Sequence, residues 1–414
     1  MKIGIIGGGI IGLSSAYYLK KSGHEVTIID QSDLTDGCSL GNAGMIVPSH
    51  FIPLAAPGMV AKGIKWMFNS SSPFYVKPRL SLDLIKWGLL FLKKANTKHV
   101  TQSAPALKEL NLLSKFFYQQ MANELPFDFG YHERGLLMLY QTKEAEHEEA
   151  ETAAMANDLG IVAKILSSGE VQQLEPDVKV NCRGGIYFPG DAHLTPQQLF
   201  VGIKEYLKTH GIKYITRQPV TDFVATREHL NSVVCGQEHF SFDQVVLATG
   251  SWSGTVAQKL NLALPMQAGK GYSFTLPDVQ KNVHIPSIFL EARVAVTPLG
   301  RSLRFGGTME ITGINHLVNM RRVKGIVDSI PNYYPEMNVE MPQAEKVWHG
   351  LRPCSPDGLP YIGRSKKIKN LVVATGHSMM GLSLAPATGK LVSEICNEEK
   401  TSMGLNLFDP ERFD

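Results

Sequence analysis

The hydrophobic pattern at the start of the chain predicts an α/β opening. Lys2 to Ile6 form a short apolar strand, a glycine turn follows, and helical spacing of apolar positions predicts a helix from Ile10 to Ser22. Gly23 ends that helix, and a second apolar strand runs from Glu25 to Asp30. This order is typical of a helix packed on a parallel sheet.

The middle of the chain has a different pattern. Short strands alternate with turns from Met266 to Met309, which predicts a mostly antiparallel sheet, whereas Gln244–Thr249 is fully apolar and suits a central strand buried on both faces. Further predicted helices are 55–95, 103–124, Lys143–Leu159, Pro196–His210, 318–334 and Leu382–Asn397, and further predicted strands are Gly135–Tyr140, Gly185–Phe188, Lys213–Ile215, Val220–Ala225, Ser232–Cys235 and Asn370–Ala374.

A chain of 414 residues that starts and ends in α/β style, with antiparallel strands between, predicts two interleaved domains. We expect an α/β fold in which a Rossmann-like, dinucleotide-binding domain is interleaved with an α+β substrate domain containing a mostly antiparallel sheet. The first comprises 1–50, 143–180, 194–260 and 346–414, and the second comprises 51–142, 181–193 and 261–345.

Composition narrows the classes of partner. The net charge is +3, and Lys and Arg are not gathered into a stripe with aromatic residues, so we expect no nucleic-acid partner. Five Cys at irregular spacings without a CxxC pair indicate a reducing compartment and no metal site. The chain begins directly with a strand, so we expect no targeting segment and a cytoplasmic location.

The segment 80–98 places apolar residues at helical spacing beside three lysines. Such a helix either covers the protein's own core or rests on a membrane surface as a peripheral contact, with Trp66, Met67 and Phe68 upstream adding apolar surface. No run of about twenty apolar residues exists, so a membrane span is not expected.

The sequence Gly7-Gly8-Gly9-Ile10-Ile11-Gly12 lies between the first strand and the first helix, which is the context of a dinucleotide-binding turn. Gly7 permits the turn, Gly9 lets the backbone approach a pyrophosphate, and Gly12 lets the helix pack on the strand. Asp30 ends the second strand, where an acid binds ribose hydroxyls. The motif alone does not separate NAD from FAD.

Three segments of small residues favour a flavin dinucleotide that extends across the sheet: 38–46, 248–252 and 374–383. The candidate cofactor-binding residues are Gly7, Gly9, Ile10, Ile11, Gly12, Asp30, Gln31, Cys38, Ser39, Gly41, Asn42, Ala43, Gly44, Met45, Val220, Ala248, Thr249, Gly250, Trp252, Gly376, His377, Met380, Gly381, Leu382 and Ser383.

These residues resemble the glycine oxidase, sarcosine oxidase and D-amino-acid oxidase and dehydrogenase group of flavoproteins. The resemblance covers nearly the whole chain, and 55–68 resembles the dehydrogenase branch. Its markers, besides the glycine turn, are Gly41–Gly44, Ala55–Gly58, Ile64–Phe68, Lys270–Ser273, Gly350–Pro353, Pro356–Gly358 and Thr375–His377.

The resemblance implies that Arg352, in Gly350-Leu351-Arg352-Pro353, pairs with a substrate carboxylate, which suits the fork of a guanidinium. The family's oxidases present a tyrosine nearby, but the corresponding stretch here, 291–295, contains none. Tyr272 or Arg293 is therefore a candidate for the second contact, Glu291 for a contact with the substrate nitrogen, and His50 for a place in the pocket. The alternative for each is an ordinary structural role.

The resemblance further implies FAD-dependent oxidative deamination of small D-amino acids, cyclic ones such as D-proline included, by hydride transfer to the flavin. FAD is expected to bind noncovalently: Cys354 lies in the neighbourhood of the cysteine to which sarcosine oxidases attach flavin, but its spacing to Asp357 does not match. A quinone or electron-transfer partner is expected to reoxidise the flavin, and an oxygen-using oxidase is the alternative. From other classes, a nicotinamide dehydrogenase and a noncatalytic dinucleotide-binding protein stay open.

Overall fold

A computed structural model describes residues 1–59, 73–77 and 79–414. The Ile64–Phe68 marker, Trp66 to Phe68 and part of the predicted 55–95 helix lie outside the described residues. The described helices are α1 (Ile10–Lys21), α2 (Leu82–Lys94), α3 (Thr97–Glu124), α4 (Lys143–Asp158), α5 (Ser168–Leu174), α6 (Pro196–Thr209), α7 (Ser253–Gln258), α8 (Met320–Tyr333) and α9 (Gly381–Cys396).

The strands of the same residues are β1 (Lys2–Ile6), β2 (Glu25–Ile29), β3 (Met45–Ile46), β4 (Phe74–Val76), β5 (Leu136–Tyr140), β6 (Lys164–Ser167), β7 (Gly184–Phe188), β8 (Ala192–His193), β9 (Lys213–Ile215), β10 (Asp222–Ala225), β11 (Leu230–Cys235), β12 (Glu238–Phe240), β13 (Gln244–Leu247), β14 (Gln267–Leu276), β15 (Ser287–Phe289), β16 (Val294–Leu299), β17 (Ser302–Ile311), β18 (Trp348–Cys354), β19 (Tyr361–Arg364) and β20 (Leu371–Thr375).

A six-stranded sheet forms the Rossmann-like part, in the order β19-β20-β13-β1-β2-β9. All pairings are parallel except that of β19 with β20. Val246 of β13 packs in the core with α1 and α9, whereas Val245 and Leu247 pack with the small β10-β11-β12 sheet on the other face. The prediction that this apolar segment is a central strand buried on both faces is confirmed.

A second, mixed sheet follows the order β18-β14-β17-β16-β15-β5-β7-β6, with β4 also paired to β17. Most of its pairings are antiparallel, as expected, and β15 with β5 and β17 with β4 are parallel. Helix α8 covers one face through Val323, Ile326 and Ile330. The opposite face is left to face the Rossmann-like part, and the site described below lies there.

Strand pairing and helix packing bear on two of the expected domain segments. Segment 143–180 was expected in the Rossmann-like domain, but β6 pairs with β7 in the second sheet. Segment 51–142 was expected in the substrate domain, but α3 packs on α9, which covers the six-stranded sheet. We propose that 143–180 belongs to the substrate domain and that only the α3 part of 51–142 belongs to the Rossmann-like domain, since β4 and β5 pair within the second sheet. A hydrophobic pattern identifies a strand or helix without identifying its partner.

Helix α3 also begins earlier than predicted. Asn96 caps it by accepting a hydrogen bond from the His99 N–H, and Pro105 lies inside the helix. The predicted start near Ser103 was wrong, since a proline can be accommodated within a long helix that tertiary packing supports.

Candidate active site

A cavity of about 1290 Å³ is lined by residues of both large sheets. Its lining includes Ile6, Ile29, Ala248 and Thr375, which lie at or next to the carboxyl ends of four parallel strands. Small-molecule pockets usually measure roughly 300–1,000 Å³. This cavity is therefore large enough for an extended cofactor together with a small substrate, and it lies where open α/β sheets bind ligands.

The turn between β1 and α1 leaves room in front of the helix N-terminus. Gly7 has a φ of +104°, and a Cβ there would lie 2.4 Å from the Ala248 carbonyl oxygen. A Cβ at Gly12 would lie 1.9 Å from the Gly7 carbonyl oxygen, whereas a Cβ at Gly9 would meet no described atom within 4 Å. The open space and the N–H groups of an uncapped helix start fit a pyrophosphate group.

Asp30 closes this turn from the end of β2. One carboxylate oxygen accepts the Gly8 N–H at 2.7 Å, and the other accepts the Ser32 N–H at 2.8 Å. A carboxylate has about four lone-pair positions, so Asp30, which lines the cavity, can also accept hydrogen bonds from ribose hydroxyls.

The loop from Cys38 to Met45 is fastened to the second sheet by side chains that sequence reasoning missed. Arg304 on β17 donates to the Leu40 and Asn42 carbonyl oxygens at 3.1 and 2.8 Å, and Ser273 donates to that of Gly41 at 2.8 Å. The sequence offered one signal for Arg304, namely a cationic residue within a segment of mainly uncharged residues. These bonds fix the loop beside the cavity.

Trp348 is a further cavity-lining residue that was missed. Its indole covers two glycines, because a Cβ would lie 2.0 Å from it at Gly41 and 2.1 Å from it at Gly350. A tryptophan just before the Gly350–Pro353 marker was the available signal.

The carboxyl ends of β13 and β20 are tied together at the cavity. Ser253 and Thr375 share a hydrogen bond of 2.7 Å, and Ser251 donates to the Leu351 carbonyl oxygen at 3.0 Å. His377 lines the cavity, and its buried Nδ1 has no hydrogen-bond partner among the described residues. Burial lowers the pKa of His377 to about 3. The open space at Gly9, the Asp30 carboxylate and the small residues at these strand ends are what a dinucleotide needs, so the residues present fit FAD.

Most of the candidate cofactor residues line the cavity, and four do not: Gly12, Gly44, Gly376 and Ser383. Gly12 serves the packing of α1. Gly44 and Gly376 adopt φ values of +81° and +79°, and they shape the turns that carry their neighbours. Ser383 accepts the Val47 N–H at 3.1 Å and so fixes the segment after β3.

The wall of the cavity on the second sheet is one row of side chains that crosses five strands. Because side chains alternate between the faces of a sheet, paired residues share a face. The row consists of Met138, Ile288, Ala295, Gly306 and Ser273, which are paired in that order. All five line the cavity and present a largely apolar surface.

Arg352 lies along the same wall, where it pairs with Gly269, four residues from Ser273 on β14. Its guanidinium covers Gly271, where a Cβ would lie 2.2 Å from Nη2, and Nη1 donates to the Thr308 carbonyl oxygen. Burial lowers the pKa of Arg352 from its usual value. No carboxylate among the described residues pairs with it, so the guanidinium is available to an acidic ligand in the cavity.

Arg293 and His50 also line the cavity, as expected for pocket candidates. Arg293 has a φ of +53° at the turn into β16 and no ion-pair partner among the described residues. Burial, together with the charge of Arg293, lowers the pKa of His50 to about 4, so its imidazole is neutral near pH 7.

The polar groups of Tyr272 and Glu291 are engaged elsewhere, although Tyr272 is among the residues that line the cavity. The Tyr272 hydroxyl donates to Glu310 at 2.7 Å and accepts the Asn319 N–H, on the α8 side of the sheet, so it is not free for a substrate. Glu291 lies outside the cavity lining. It accepts the Gln141 and Thr142 N–H groups at 2.9 and 3.0 Å, before α4.

Cys354 is fully buried and is not among the cavity-lining residues. Its thiol donates to the Arg352 carbonyl oxygen at 3.4 Å, and burial raises its pKa. A neutral, enclosed thiol is a poor nucleophile, which favours noncovalent cofactor binding.

A family model described as "FAD dependent oxidoreductase" matches residues 2–395. The chain belongs to this family. This chain is 32% identical to a D-amino acid dehydrogenase of Helicobacter pylori over 396 residues. The match covers 95% of this chain and 94% of the relative.

Solved structures agree with the fold of this FAD-dependent oxidoreductase. Glycine oxidase from Geobacillus kaustophilus is similar with a TM-score of 0.79 and 22% identity, over 100% of this chain and 98% of that one. L-Proline dehydrogenase from P. horikoshii is similar with a TM-score of 0.74 and 19% identity, over 100% and 97%. These solved structures establish the mixed α/β fold, and the family model establishes FAD as the cofactor.

The described residues contain neither a cluster of metal-binding side chains nor a membrane-spanning helix. No group of three or more His, Cys, Asp or Glu side chains there is arranged to hold a metal ion. In the same part of the chain, no helix has both the length and the apolar character needed to cross a membrane.

Proposed function

We propose that this FAD-dependent oxidoreductase oxidises small D-amino acids, open-chain or cyclic, at the carbon that carries the nitrogen. The products are a 2-oxo acid and ammonia after hydrolysis, or a cyclic imine from a cyclic substrate. The observation that carries the proposal is the Arg352 guanidinium, which faces the cavity without a carboxylate partner among the described residues. The dehydrogenase relative at 32% identity supports the D configuration.

In this proposal Arg352 binds the substrate carboxylate with two parallel hydrogen bonds, because its planar fork matches the two oxygens. Its bond to the Thr308 carbonyl oxygen and its position over Gly271 hold the guanidinium in place. Arg293 is the candidate for a second contact with the carboxylate, since it lines the same cavity and is not neutralised.

FAD, when bound, supplies the group that accepts two electrons and a proton as hydride. The chain's contribution is to position the substrate and to exclude water. Met138, Ile288 and Ala295 form the apolar part of the wall, which leaves room for a small side chain or ring. Holding the reacting groups in place lowers the entropic cost of the reaction.

The test is anaerobic bleaching of the bound flavin by a panel of D-, L-, cyclic and N-methyl amino acids. In Arg352→Leu, we expect the apparent KM of the best substrate to rise by about 100-fold, since a charge-assisted pair contributes on the order of 2–4 kcal/mol. Bound FAD should be retained. Arg301→Leu is the matched control, because Arg301 is exposed on the surface.

An unchanged KM in Arg352→Leu would remove the arginine from this role. A wild-type flavin that no amino acid bleaches would remove the proposed function, and a noncatalytic role for the bound dinucleotide would then be favoured.

We also propose that a membrane quinone reoxidises the flavin and that α2 rests on the bilayer surface. Leu82, Ile85, Leu89 and Leu92 form an exposed apolar stripe along this helix, with between 51% and 86% of each side chain accessible. Lys86, Lys93 and Lys94 lie on the same helix and would face anionic headgroups.

A further inference from the structure

Three side chains form a hydrogen-bonded chain from a buried carboxylate to the cavity. Asp191 is fully buried, and its two carboxylate oxygens accept the Ser49 N–H at 3.1 Å and the Ser49 hydroxyl at 2.5 Å. The Ser49 oxygen in turn lies 3.1 Å from Nδ1 of His50. His50 lines the cavity.

A short ribbon between the two sheets brings these residues together. Strand β3 pairs with β8 through Met45 with His193 and Ile46 with Ala192. Asp191 directly precedes β8, and Ser49 follows β3 by three residues, so the pairing places them side by side. The Gly135 N–H donates to the Asp191 carbonyl oxygen at 3.0 Å and holds that turn.

The number of protons shared by Asp191, Ser49 and His50 determines the tautomer of the His50 ring. A hydroxyl has one proton, and Ser49 uses it on the Asp191 carboxylate. The Ser49 oxygen can then only accept from His50, so Nδ1 carries the ring proton and Nε2 carries a lone pair. Nε2 has no hydrogen-bond partner among the described residues, and the ring borders the cavity. The imidazole therefore offers an acceptor to whatever occupies that space.

We propose that Nε2 of His50 accepts a proton from the ammonium group of the bound amino acid, with Ser49 and Asp191 as the positioning residues that set the tautomer. This inference rests on the proposed function. The substrate N–H bond breaks, an Nε2–H bond forms, and one positive charge moves from the substrate to the ring without a change in oxidation state. The substrate nitrogen regains the lone pair that must assist hydride loss from the neighbouring carbon.

The charges around the site act on both the donor and the acceptor of this proton. The cations Arg293 and Arg352 line the cavity and disfavour a bound ammonium group, just as Arg293 disfavours an imidazolium. Once the ring is protonated, the ionised Asp191 stabilises it through Ser49. Two charged side chains act on these residues: Arg293 acts on His50, and Lys115 acts on Asp191. The proton returns to water when the product leaves.

Asp191→Asn is the most informative variant because it keeps the shape of the site and reverses the direction of the hydrogen bonds that link residue 191, Ser49 and His50. The new amide donates to Ser49, which must turn its proton toward Nδ1, so Nε2 becomes a donor that repels an ammonium group. We expect anaerobic flavin reduction to slow by roughly 10²- to 10⁴-fold, the usual range for general-base catalysis. FAD content should stay unchanged, and so should the Kd of propionate, a carboxylate without an amine.

The pH profile separates a proton acceptor from a merely structural residue. Burial raises the pKa of Asp191 to about 7. Below that pH the carboxyl carries its own proton and no longer fixes the tautomer, so the wild-type rate should rise through pH 7. In His50→Ala we expect a rate that increases about tenfold per pH unit up to the amine pKa of the free substrate, because deprotonation then occurs in water.

Two further measurements keep the test sharp if Asp191→Asn fails to fold. Ser49→Thr, which retains the hydroxyl, should keep the wild-type profile, whereas Ser49→Ala should be slower. Nitrogen-15 NMR of the histidine rings, with His50 assigned from a His50→Gln sample, should show a proton on Nδ1 in the wild type. A proton on Nε2 there would overturn the proposal.

A wild-type pH profile in His50→Ala would also overturn it, while the proposed function would stand as long as an amino acid still bleaches the flavin. If no amino acid bleaches the wild-type flavin, the proposed function itself fails, and the two outcomes are distinguishable.

Discussion

At the scale of single residues, the position of the Arg352 guanidinium depends on a missing side chain. Gly271 lies directly beneath it, and a methyl group there would come within 2.2 Å of Nη2. The clash involves the far end of a flexible side chain rather than backbone, so the arginine can move and the fold need not. Gly271 is therefore a specificity element rather than a requirement for folding.

We expect Gly271→Ala to raise the apparent KM for the amino acid by about 10-fold or more, since a displaced fork loses part of a charge-assisted pair of about 1.5–3 kcal/mol. The melting temperature and the bound FAD should change little. Steady-state kinetics with matched flavin content check this. Gly88→Ala, in α2 with open space around it, is the control and should leave KM unchanged. A loss of FAD in Gly271→Ala alone would contradict the assignment.

The sequence identified Arg352, Arg293 and His50 because each lies near a recognisable marker. The sequence made Tyr272 a candidate for a substrate contact, whereas its hydroxyl lies on the α8 side of the sheet. Polar and apolar residues do not alternate clearly around Tyr272, so only the pairing of β14 with β17 and β18 shows which side chains face the cavity. Asp191 and Ser49 could not be found at all. Their relation depends on pairing between segments 142 residues apart.

At the scale of elements, the loop from Cys38 to Met45 has little regular structure of its own apart from the short strand at its end. Arg304 is 4% exposed, and burial lowers its pKa to about 10. It uses one nitrogen on two carbonyl oxygens of the loop and another on Thr275 at 3.0 Å. The substrate sheet thus holds a segment of the cofactor site, and the two functions are mechanically coupled.

Replacement of Arg304 by Met should weaken FAD binding by about 10- to 100-fold, because two buried carbonyl groups lose their donors at roughly 1–3 kcal/mol in all. The retained flavin absorbance after dialysis measures this, with exposed Arg301→Met as the control. Flavin retention equal to wild type would show that the loop holds its shape without this anchor.

Most strands and helices were predictable because apolar runs and helical periodicity identify them locally. Their assembly was not, and segment 143–180 shows why. All four residues of β6 are exposed or partly exposed, so its pattern gives no sign that it extends the second sheet rather than the first.

At the scale of the whole molecule, α2 has apolar residues on two sides. On the inner side Trp87 stacks on Phe91 at 5.1 Å and donates to the Cys354 carbonyl oxygen at 2.9 Å. The outer stripe has no counterpart among the described residues. This arrangement fits a helix that joins the protein to a lipid surface close to the substrate arginine.

We expect Ile85→Glu combined with Leu89→Glu to reduce reoxidation of the flavin by quinone embedded in anionic vesicles by about 10-fold or more, with no effect on a water-soluble quinone. The double change adds charge where apolar area would enter the bilayer. Leu112→Glu with Phe116→Glu, an exposed pair at the same spacing on α3, is the control.

Stopped-flow reoxidation after anaerobic reduction is the measurement. Faster reoxidation by oxygen than by either quinone would favour an oxidase, and a concentration-dependent dimer lost in the double variant would assign the stripe to a second copy of the chain.

The order of strands in the six-stranded sheet has a consequence for biosynthesis. Ile3 pairs with Val26 on one side, but its partner on the other side is Gln244, and Val245 in turn needs Leu371 on its outer side. Ribosomes add about 5–20 residues per second, so one edge of the first strand remains unpaired for tens of seconds during synthesis. Slow, cool expression with abundant chaperones should therefore give the best yield, and flavin supplied to the culture can be captured only by nearly finished chains.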